Sequence, residues 1–328
     1  MKITFFAEII LVIIMTTILP AILTAEDFSK YYKADFWTQA AETICRRHKI
    51  SFNRLQRSAF GENVVFLVDT KFVIKIYTPF RNGFLREKAA LEFARGKTSL
   101  RLPEIIFEGE IENFNYIVLN RHEGVLMTRD MWLKLDKREQ IKIISQLAAG
   151  LKELHSHDAR SINFDWTKFI EHQAATTIER QKANGANAEW LERLPFYLEE
   201  NLPLLPDDFA PVFLHGDVHF GNLRLIEKSG RWRISGLFDF ADSLAGFHEY
   251  DFLAVGVLMI QGQGEIQREF FLSYGYVENE INETLRRRLM VLTILYECSN
   301  LRKYALRLKP EAVNFTLNEL EREIWSFA

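Results

Sequence analysis

Carboxylate, amide and imidazole side chains are concentrated in the segment LHGDVHFGNLRL, which contains His215, Asp217, His219 and Asn222. Asp217 and Asn222 are five residues apart, and Asp239 follows seventeen residues after Asn222, at the end of an apolar, strand-like run. Mg²⁺ prefers hard oxygen ligands and usually takes few of them from the protein. The ordered set of Asp217, Asn222 and Asp239 therefore predicts a site for magnesium and phosphate.

The same segment admits a second interpretation, in which His215, Asp217 and His219 bind zinc. Imidazole and carboxylate groups are acceptable zinc ligands, and a catalytic zinc site combines three protein ligands with a water molecule. A zinc hydrolase of this kind would leave Asn222 and Asp239 without a role. The magnesium interpretation is therefore favoured, and the metal content of the protein separates the two.

The secondary structure that must position these residues is predicted to change along the chain, from mainly strands to mainly helices. Runs rich in β-branched and aromatic residues predict strands in the first part, and good helix formers that stop at Gly96 predict a helix. The predicted elements are a hairpin within 52–77, a helix over 84–95 and a second hairpin of Ile105–Glu108 and Asn115–Asn120. This part is expected to be a small, mostly antiparallel sheet with one helix.

Beyond Gly124 the pattern becomes mainly helical. Apolar residues recur at steps of three and four from Ile141 to Leu154, which is the period of an amphipathic helix. Residues 166–201 and 279–307 also have helical patterns. Between them lies a short β-rich insertion that carries the LHGDVHFGN segment and Asp239, so the chain is predicted to have an α+β fold.

Composition and charge narrow the class of protein. The chain has 328 residues, enough for about two domains, and its 48% hydrophobic content supports a folded core. A net charge of −3 gives no basic surface for DNA or RNA, so nucleic-acid binding is not expected. The only two cysteines, Cys45 and Cys298, are too few for a disulfide framework and favour a reducing compartment.

Residues 1–25 form an apolar N-terminal segment, whose apolar run from Ile9 to Leu23 is shorter than the ~20 apolar residues of a spanning helix. Three interpretations stay open at this point: a signal or membrane anchor, a folded or mobile segment, and a mis-assigned start with initiation at Met15. Membrane contact is expected only if this segment belongs to the native protein and is retained.

These motifs together resemble the aminoglycoside phosphotransferase and choline kinase family, which are small-molecule kinases with a protein-kinase-like fold. The resemblance includes the HGDxHxxN pattern from His215 to Asn222 and the later pair Asp239-Phe240, and it extends in order over about residues 55–300. It implies two lobes. The N-lobe over 26–123 would bind nucleotide, and the larger, mainly helical C-lobe over 124–328 would hold the catalytic loop and the acceptor.

The resemblance also implies ATP and Mg²⁺ as cofactors, and it assigns roles to the motif residues. Asp217 is expected to orient the acceptor hydroxyl and accept its proton, while Asn222 and Asp239 hold Mg²⁺. His215 is expected to support the loop. The residues that follow Asp239 are Phe240-Ala241, whereas protein kinases have Phe-Gly, and this agrees with the small-molecule group.

His219 receives no role from the resemblance. Asp251 matches an aspartate that the family places after the Asp239 segment, and the start of a helix is an equally good account of it.

In the strand KFVIKIY, alternation places Lys75 on one face with Val73 and Tyr77. From the strand alone, a lysine exposed on a half-buried strand is an adequate explanation. The resemblance implies instead that Lys75 grips the nucleotide phosphates and pairs with a helix glutamate.

Two glutamates, Glu87 and Glu92, are candidates for that partner. Glu87 shares a helix face with Ala90, Leu91 and Ala94, where a charge needs a partner, so Glu87 is selected and Glu92 is interpreted as a solvated charge.

The segment SAFGENVVFLV, which precedes the KFVIKIY strand, contains Gly61 and Asn63. These two residues would let a tight loop between strands approach phosphates. An ordinary hairpin turn explains the same residues.

The predicted function is ATP-dependent transfer of the γ-phosphate to a hydroxyl of a small molecule, with an aminoglycoside as the leading acceptor. Residues 126–328 carry a net charge of −6, which favours a cationic acceptor, although a solvated acidic surface explains the same charge. The alternatives are a kinase of the choline, methylthioribose or homoserine type, a catalytically inactive kinase-like binding protein, and the zinc hydrolase. Use of ATP implies a cytoplasmic active site.

Overall fold

A computed structural model describes residues 18–58 and 61–327 of the chain. These residues divide into two compact units. The first unit comprises the described residues up to Leu91 together with Pro103–His122, and the second comprises Glu92–Leu102 together with the described residues from Glu123 onward. The first unit is built on a β-sheet, whereas the second is mainly helical.

The sheet of the first unit has five strands in the order β1-β2-β3-β5-β4, and neighbouring strands are antiparallel. The strands are β1 (Leu55–Arg57), β2 (Val64–Val68), β3 (Phe72–Ile76), β4 (Ile105–Ile111) and β5 (Phe114–Asn120). Alternation explains β2, because Val64, Phe66 and Val68 point to one side and are buried. β2 and β3 form the predicted hairpin, and Asp69 adopts a left-handed φ of 49° in its turn, which aspartate tolerates.

Three helices accompany this sheet: α1 (Ala25–Tyr31), α2 (Phe36–Arg47) and α3 (Gly83–Ala94). α3 is the helix predicted over 84–95. α1 and α2 precede the sheet, and the sequence analysis assigned no helix there. Trp37, Ile44 and Cys45 of α2 are fully buried and belong to the same apolar core as the buried side chains of β2, so the sheet alone does not form the core.

Part of the apolar N-terminal segment packs into the first unit. Residues 1–17, including Met15, lie outside the described residues, so the predicted signal, anchor or later start concerns a part of the chain that the structure does not describe. Leu19 and Ile22 are buried in the core around Trp37. The amides of Ile18 and Leu19 donate to the Glu112 carboxylate at 2.5 and 2.6 Å.

No helix within the described ranges 18–58 and 61–327 is both long and apolar enough to cross a membrane.

The second unit is dominated by helices. They are α4 (Arg129–Lys134), α5 (Lys137–His155), α6 (Trp166–Ala183), α7 (Ala188–Asn201), α8 (Phe252–Ala254), α9 (Gly264–Tyr274), α10 (Glu283–Leu295), α11 (Leu301–Leu308) and α12 (Leu317–Ile324). The helical stretch predicted over 166–201 contains two helices, because the chain turns at Gly185 with a φ of 76°. The stretch over 279–307 also contains two, because the helix ends before Tyr296.

Five short strands of the second unit surround the chemistry-bearing segment. β6 (Val125–Leu126), β8 (Leu223–Lys228) and β9 (Arg231–Leu237) form an antiparallel sheet, and β7 (Val212–Leu214) pairs with β10 (Leu244–Gly246). Asp217 follows β7, Asn222 immediately precedes β8, and Asp239 follows β9. The predicted α+β class and β-rich insertion are confirmed, and the insertion places all three residues at strand ends.

Candidate active site

A buried ion pair connects the sheet and helix of the first unit. Lys75 lies on β3 and Glu87 on α3, with Lys75 Nζ 2.5 Å from Glu87 Oε2. Their side chains are 8% and 1% exposed, so each charge has lost most of its water and depends on its partner. Glu92 lies on an exposed part of the same helix. The structure therefore brings together the two residues predicted to pair, and the alternative of an exposed lysine does not describe Lys75.

Tyr77 is a second hydrogen-bond donor to Glu87. The sequence placed Tyr77 on the same strand face as Lys75 but indicated no function for it. Its hydroxyl donates to Glu87 Oε2 at 2.6 Å, and Lys75 Nζ lies 5.3 Å from the centre of its ring. The carboxylate oxygen that accepts from lysine is thus also held by tyrosine. Strand alternation was the available signal, because Lys75 and Tyr77 share a face of the strand.

Replacing Tyr77 with phenylalanine is expected to lower the free energy of unfolding by about 1–2 kcal/mol, because a buried carboxylate loses one hydrogen bond. Urea unfolding followed by tryptophan fluorescence measures this change. Tyr31→Phe is the matched control, since within the described chain the Tyr31 hydroxyl makes no hydrogen bond. Equal stability of the two variants would contradict a stabilising bond between Tyr77 and Glu87.

The loop before β2 is shaped by Gly61 and Asn63. Gly61 has a φ of 129°, which only glycine adopts readily. The side-chain oxygen of Asn63 accepts from the amide of Thr78 at 3.2 Å, and its carbonyl oxygen accepts from the Tyr32 hydroxyl. Asn63 thus fixes the loop to the end of β3, and the approach of this loop to phosphates stays a prediction.

In the second unit, Asp217 is surrounded by hydrogen-bond donors. Asn222 Nδ2 and His219 Nε2 lie 3.1 and 3.2 Å from Asp217 Oδ2, and the Tyr296 hydroxyl lies 3.3 Å from Oδ1. Burial alone raises the pKa of Asp217, but hydrogen bonds from His219 and Asn222 and the neighbouring imidazoles outweigh it, so the pKa lies below its usual value. Asp217 is therefore an ionised carboxylate with a fixed orientation.

The orientation of the Asn222 amide suits a metal ligand. Its nitrogen donates to the carbonyl oxygen and carboxylate of Asp217, at 2.9 and 3.1 Å. The amide oxygen therefore points away from Asp217 and is the atom that a hard cation would bind. Asp239 supplies a carboxylate in the same unit. An amide oxygen and a carboxylate are the kind of ligand that Mg²⁺ prefers, and their joint binding of the ion stays a prediction.

His215 connects the Asp217 and Asp239 segments. Its Nδ1 accepts from the amide of Asp217 at 3.2 Å, and its Nε2 donates to the carbonyl of Phe238 at 3.1 Å. The imidazole is fully buried, and its ring centre lies 4.5 Å from that of Phe240. Both ring nitrogens are occupied by backbone groups, so neither is available to zinc. This arrangement fits the predicted supporting role and disfavours the zinc hydrolase.

A backbone hydrogen bond also joins the Asp217 and Asp239 segments, because the amide of Phe238 donates to the carbonyl of Asn222 at 3.0 Å. Asp239 follows with a φ of 69°, a left-handed conformation that aspartate adopts more readily than most residues. Such conformations concentrate at functional sites, where the surrounding contacts over-determine them.

Asp251 supports the backbone on the other side of Asp217. Its carboxylate is buried and accepts from the amides of His215 and Gly216 at 2.8 and 2.7 Å, and His155 Nε2 lies 3.1 Å from Oδ2. Asp251 does stand at the start of the helix that follows, but its side chain makes no capping bond to that helix. No sequence pattern pointed to His155 or Tyr296, because both lie far from Asp217 in sequence and have no motif around them.

Replacing Asp251 with alanine is expected to lower the free energy of unfolding by about 3 kcal/mol, because two buried amides and an imidazole lose a charged acceptor. Urea unfolding measures the loss. The control is Asp208→Ala at an exposed position, which should change stability by less than about 0.5 kcal/mol. Similar stability of the two variants would show that Asp251 does not hold the loop.

The sequence profile of the phosphotransferase enzyme family, APH, matches residues 54–289 of the chain. No curated protein matches the chain.

Solved structures of aminoglycoside phosphotransferases are similar in fold. The GDP and kanamycin complex of APH(2″)-IIIa is 16% identical, with 87% of this chain and 98% of that chain covered and a TM-score of 0.65. The streptomycin–ATP–APH(2″)-IIa ternary complex is 19% identical, with 86% and 97% covered and a TM-score of 0.57. ADP-bound APH(2″)-Ib is 21% identical, with 88% and 98% covered and a TM-score of 0.56. These likenesses confirm the two-lobed protein-kinase-like fold that the sequence predicts.

Proposed function

Because the chain belongs to the phosphotransferase enzyme family, we propose that it transfers the γ-phosphate of ATP to a hydroxyl group of a small molecule. The observation that carries this proposal is the environment of Asp217, an ionised carboxylate whose two oxygens are held by His219, Asn222 and Tyr296. A carboxylate fixed in this way can orient a hydroxyl and take its proton.

Five residues of the chain have parts in the proposed reaction. The ammonium of Lys75, fixed by Glu87, binds oxygens of the α- and β-phosphates. The Asn222 amide oxygen and the Asp239 carboxylate hold Mg²⁺, which when bound neutralises phosphate charge. Asp217 accepts the hydroxyl proton as the new bond from oxygen to the γ-phosphorus forms and the bond to the β-bridging oxygen breaks, releasing ADP.

The proposed nucleotide is ATP. The similar solved structures support a purine nucleotide, since they contain ATP, ADP or GDP. GTP is therefore the comparison that an assay needs. Most of the rate enhancement should come from positioning and charge neutralisation, because phosphoryl transfer requires little other chemistry from the protein.

The proposed acceptor is an aminoglycoside. Two similar structures contain kanamycin or streptomycin, which are cationic, and residues 126–328 of this chain carry a net charge of −6. Glu297 is exposed directly after Tyr296, whose hydroxyl faces Asp217. A carboxylate at this position would favour an acceptor with an amino group near the reacting hydroxyl.

The experiment is an assay of acceptor mass and of nucleoside diphosphate formation, ADP from ATP or GDP from GTP, with purified protein and magnesium. Kanamycin, streptomycin and gentamicin are compared with choline, homoserine and methylthioribose. We expect ADP release that depends on an aminoglycoside and adds one phosphate to it. Modification of another acceptor instead would replace the acceptor proposal, whereas nucleotide binding with no acceptor modified would favour the inactive binding protein.

A further inference from the structure

We propose that His219 is a positioning residue for Asp217, to which it donates a hydrogen bond that leaves Asp217 Oδ1 directed at the acceptor hydroxyl. This inference rests on the proposed phosphotransferase function and assigns a task to the second histidine of the HGDxHxxN segment. It depends on three features of the described chain: the tautomer of His219, the donors around Asp217 and the close packing of His219 on Gly221.

The backbone determines which nitrogen of His219 carries the proton. Nδ1 accepts from the amide of Gly221 at 2.9 Å, where His219 caps the short helical turn of Phe220–Asn222. A nitrogen that accepts a hydrogen bond has no proton, so in the neutral ring the proton is on Nε2. Nε2 lies 3.2 Å from Asp217 Oδ2 and is therefore a donor to it.

The donors divide unequally between the two carboxylate oxygens. Oδ2 accepts from both His219 and Asn222, whereas Oδ1 has the Tyr296 hydroxyl at 3.3 Å. Each carboxylate oxygen has two lone pairs, so Oδ1 retains the capacity to meet a substrate proton. The side chains of Asp217 and His219 are 27% and 30% exposed, which leaves them accessible to a ligand. Without His219, rotation of the carboxylate would be limited by fewer bonds.

Gly221 allows the imidazole to occupy this position. A Cβ built on Gly221 would lie 2.6 Å from His219 Cε1, closer than real side chains approach. Gly221 does not have a left-handed φ, so alanine is compatible with its backbone. Gly221→Ala therefore displaces the His219 ring while the histidine itself is retained.

The first test distinguishes the contribution of His219 Nε2, the donor to Asp217, from that of Nδ1, the acceptor from Gly221. In His219→Asn the shorter side chain keeps an acceptor near the Gly221 amide and loses the donor to Asp217, whereas His219→Gln reaches Asp217 with an amide donor. We expect His219→Asn to reduce kcat about ten- to a hundred-fold with KM for ATP unchanged, and His219→Gln to retain most of kcat. Wild-type kcat in His219→Asn, or an equal loss in both variants, would overturn the proposal.

The second test uses Gly221. Gly221→Ala should reduce kcat in the wild-type chain and cause no further loss in the His219→Asn chain, because no ring is left to displace. An equal effect in both backgrounds would show that Gly221 acts independently of His219 and would overturn this part of the argument.

A third measurement does not depend on activity. In a double-mutant cycle, His219→Asn should lower the melting temperature in the wild-type chain and have a smaller effect in the Asp217→Ala chain, which lacks the acceptor. Equal effects would overturn the His219–Asp217 bond. If the bond is present and the wild-type protein phosphorylates no acceptor, then the proposed function fails and the geometric assignment stands.

Discussion

Replacing Asp217 with asparagine is expected to reduce kcat for phosphoryl transfer by about 10³-fold, since general base catalysis contributes about 10²–10⁴-fold. The amide keeps the size of the carboxylate and can still accept from His219, but it has no negative charge and cannot take the hydroxyl proton. The measurement is the initial rate of ADP release at saturating acceptor and MgATP. Affinity for MgATP should be nearly unchanged, because the proposed metal ligands are Asn222 and Asp239.

Asp208→Asn is the control for this substitution. Asp208 is an exposed aspartate of the same unit, and it should keep wild-type kcat. A retained rate in Asp217→Asn would remove Asp217 from the proposed role. A large loss of MgATP affinity together with kcat would instead assign Asp217 to nucleotide binding.

The local parts of this arrangement were predictable from the sequence. Strand alternation placed Lys75 on a face with Tyr77, and the family resemblance gave it a phosphate-binding role. The apolar face of α3 then selected Glu87 over Glu92, because a charge among buried alanines and leucines needs a partner. The spacing from Asp217 to Asn222 fitted one compact loop. These features depend on residues close in sequence or within one short element. The spacing of apolar and polar residues there indicates which side chains share a face.

The remaining contacts depend on packing between distant parts of the chain. Tyr296 reaches Asp217 across 79 residues, and the carboxylate of Asp251 accepts from backbone amides 35 and 36 residues away. Neither contact leaves a spacing pattern in the sequence. The same holds for the covering of the sheet by α1 and α2, since burial of Trp37 becomes evident only when both helices are placed on β2.

Substitution of Asp239 with asparagine is expected to abolish the magnesium-dependent part of nucleotide binding. For the wild-type chain, MgATP at about 100 times its Kd should stabilise the fold by about 2.7 kcal/mol and raise the melting temperature by several degrees. The variant retains the shape of the side chain and loses its negative charge, and a neutral amide oxygen attracts Mg²⁺ less strongly than a carboxylate does. Asparagine also tolerates a left-handed conformation, so the φ of 69° adds no new strain.

Thermal unfolding of both proteins with ATP alone, with magnesium alone and with both measures this effect. Asp69→Asn is the matched control, because Asp69 also has a left-handed φ, 49°, and lies in the β2–β3 turn; it should keep the full MgATP shift. A full shift in Asp239→Asn would mean that the cation is held by other ligands. No shift in the folded wild-type protein with either ATP or GTP would contradict the kinase proposal itself, because Lys75 and Glu87 would then have no nucleotide to bind.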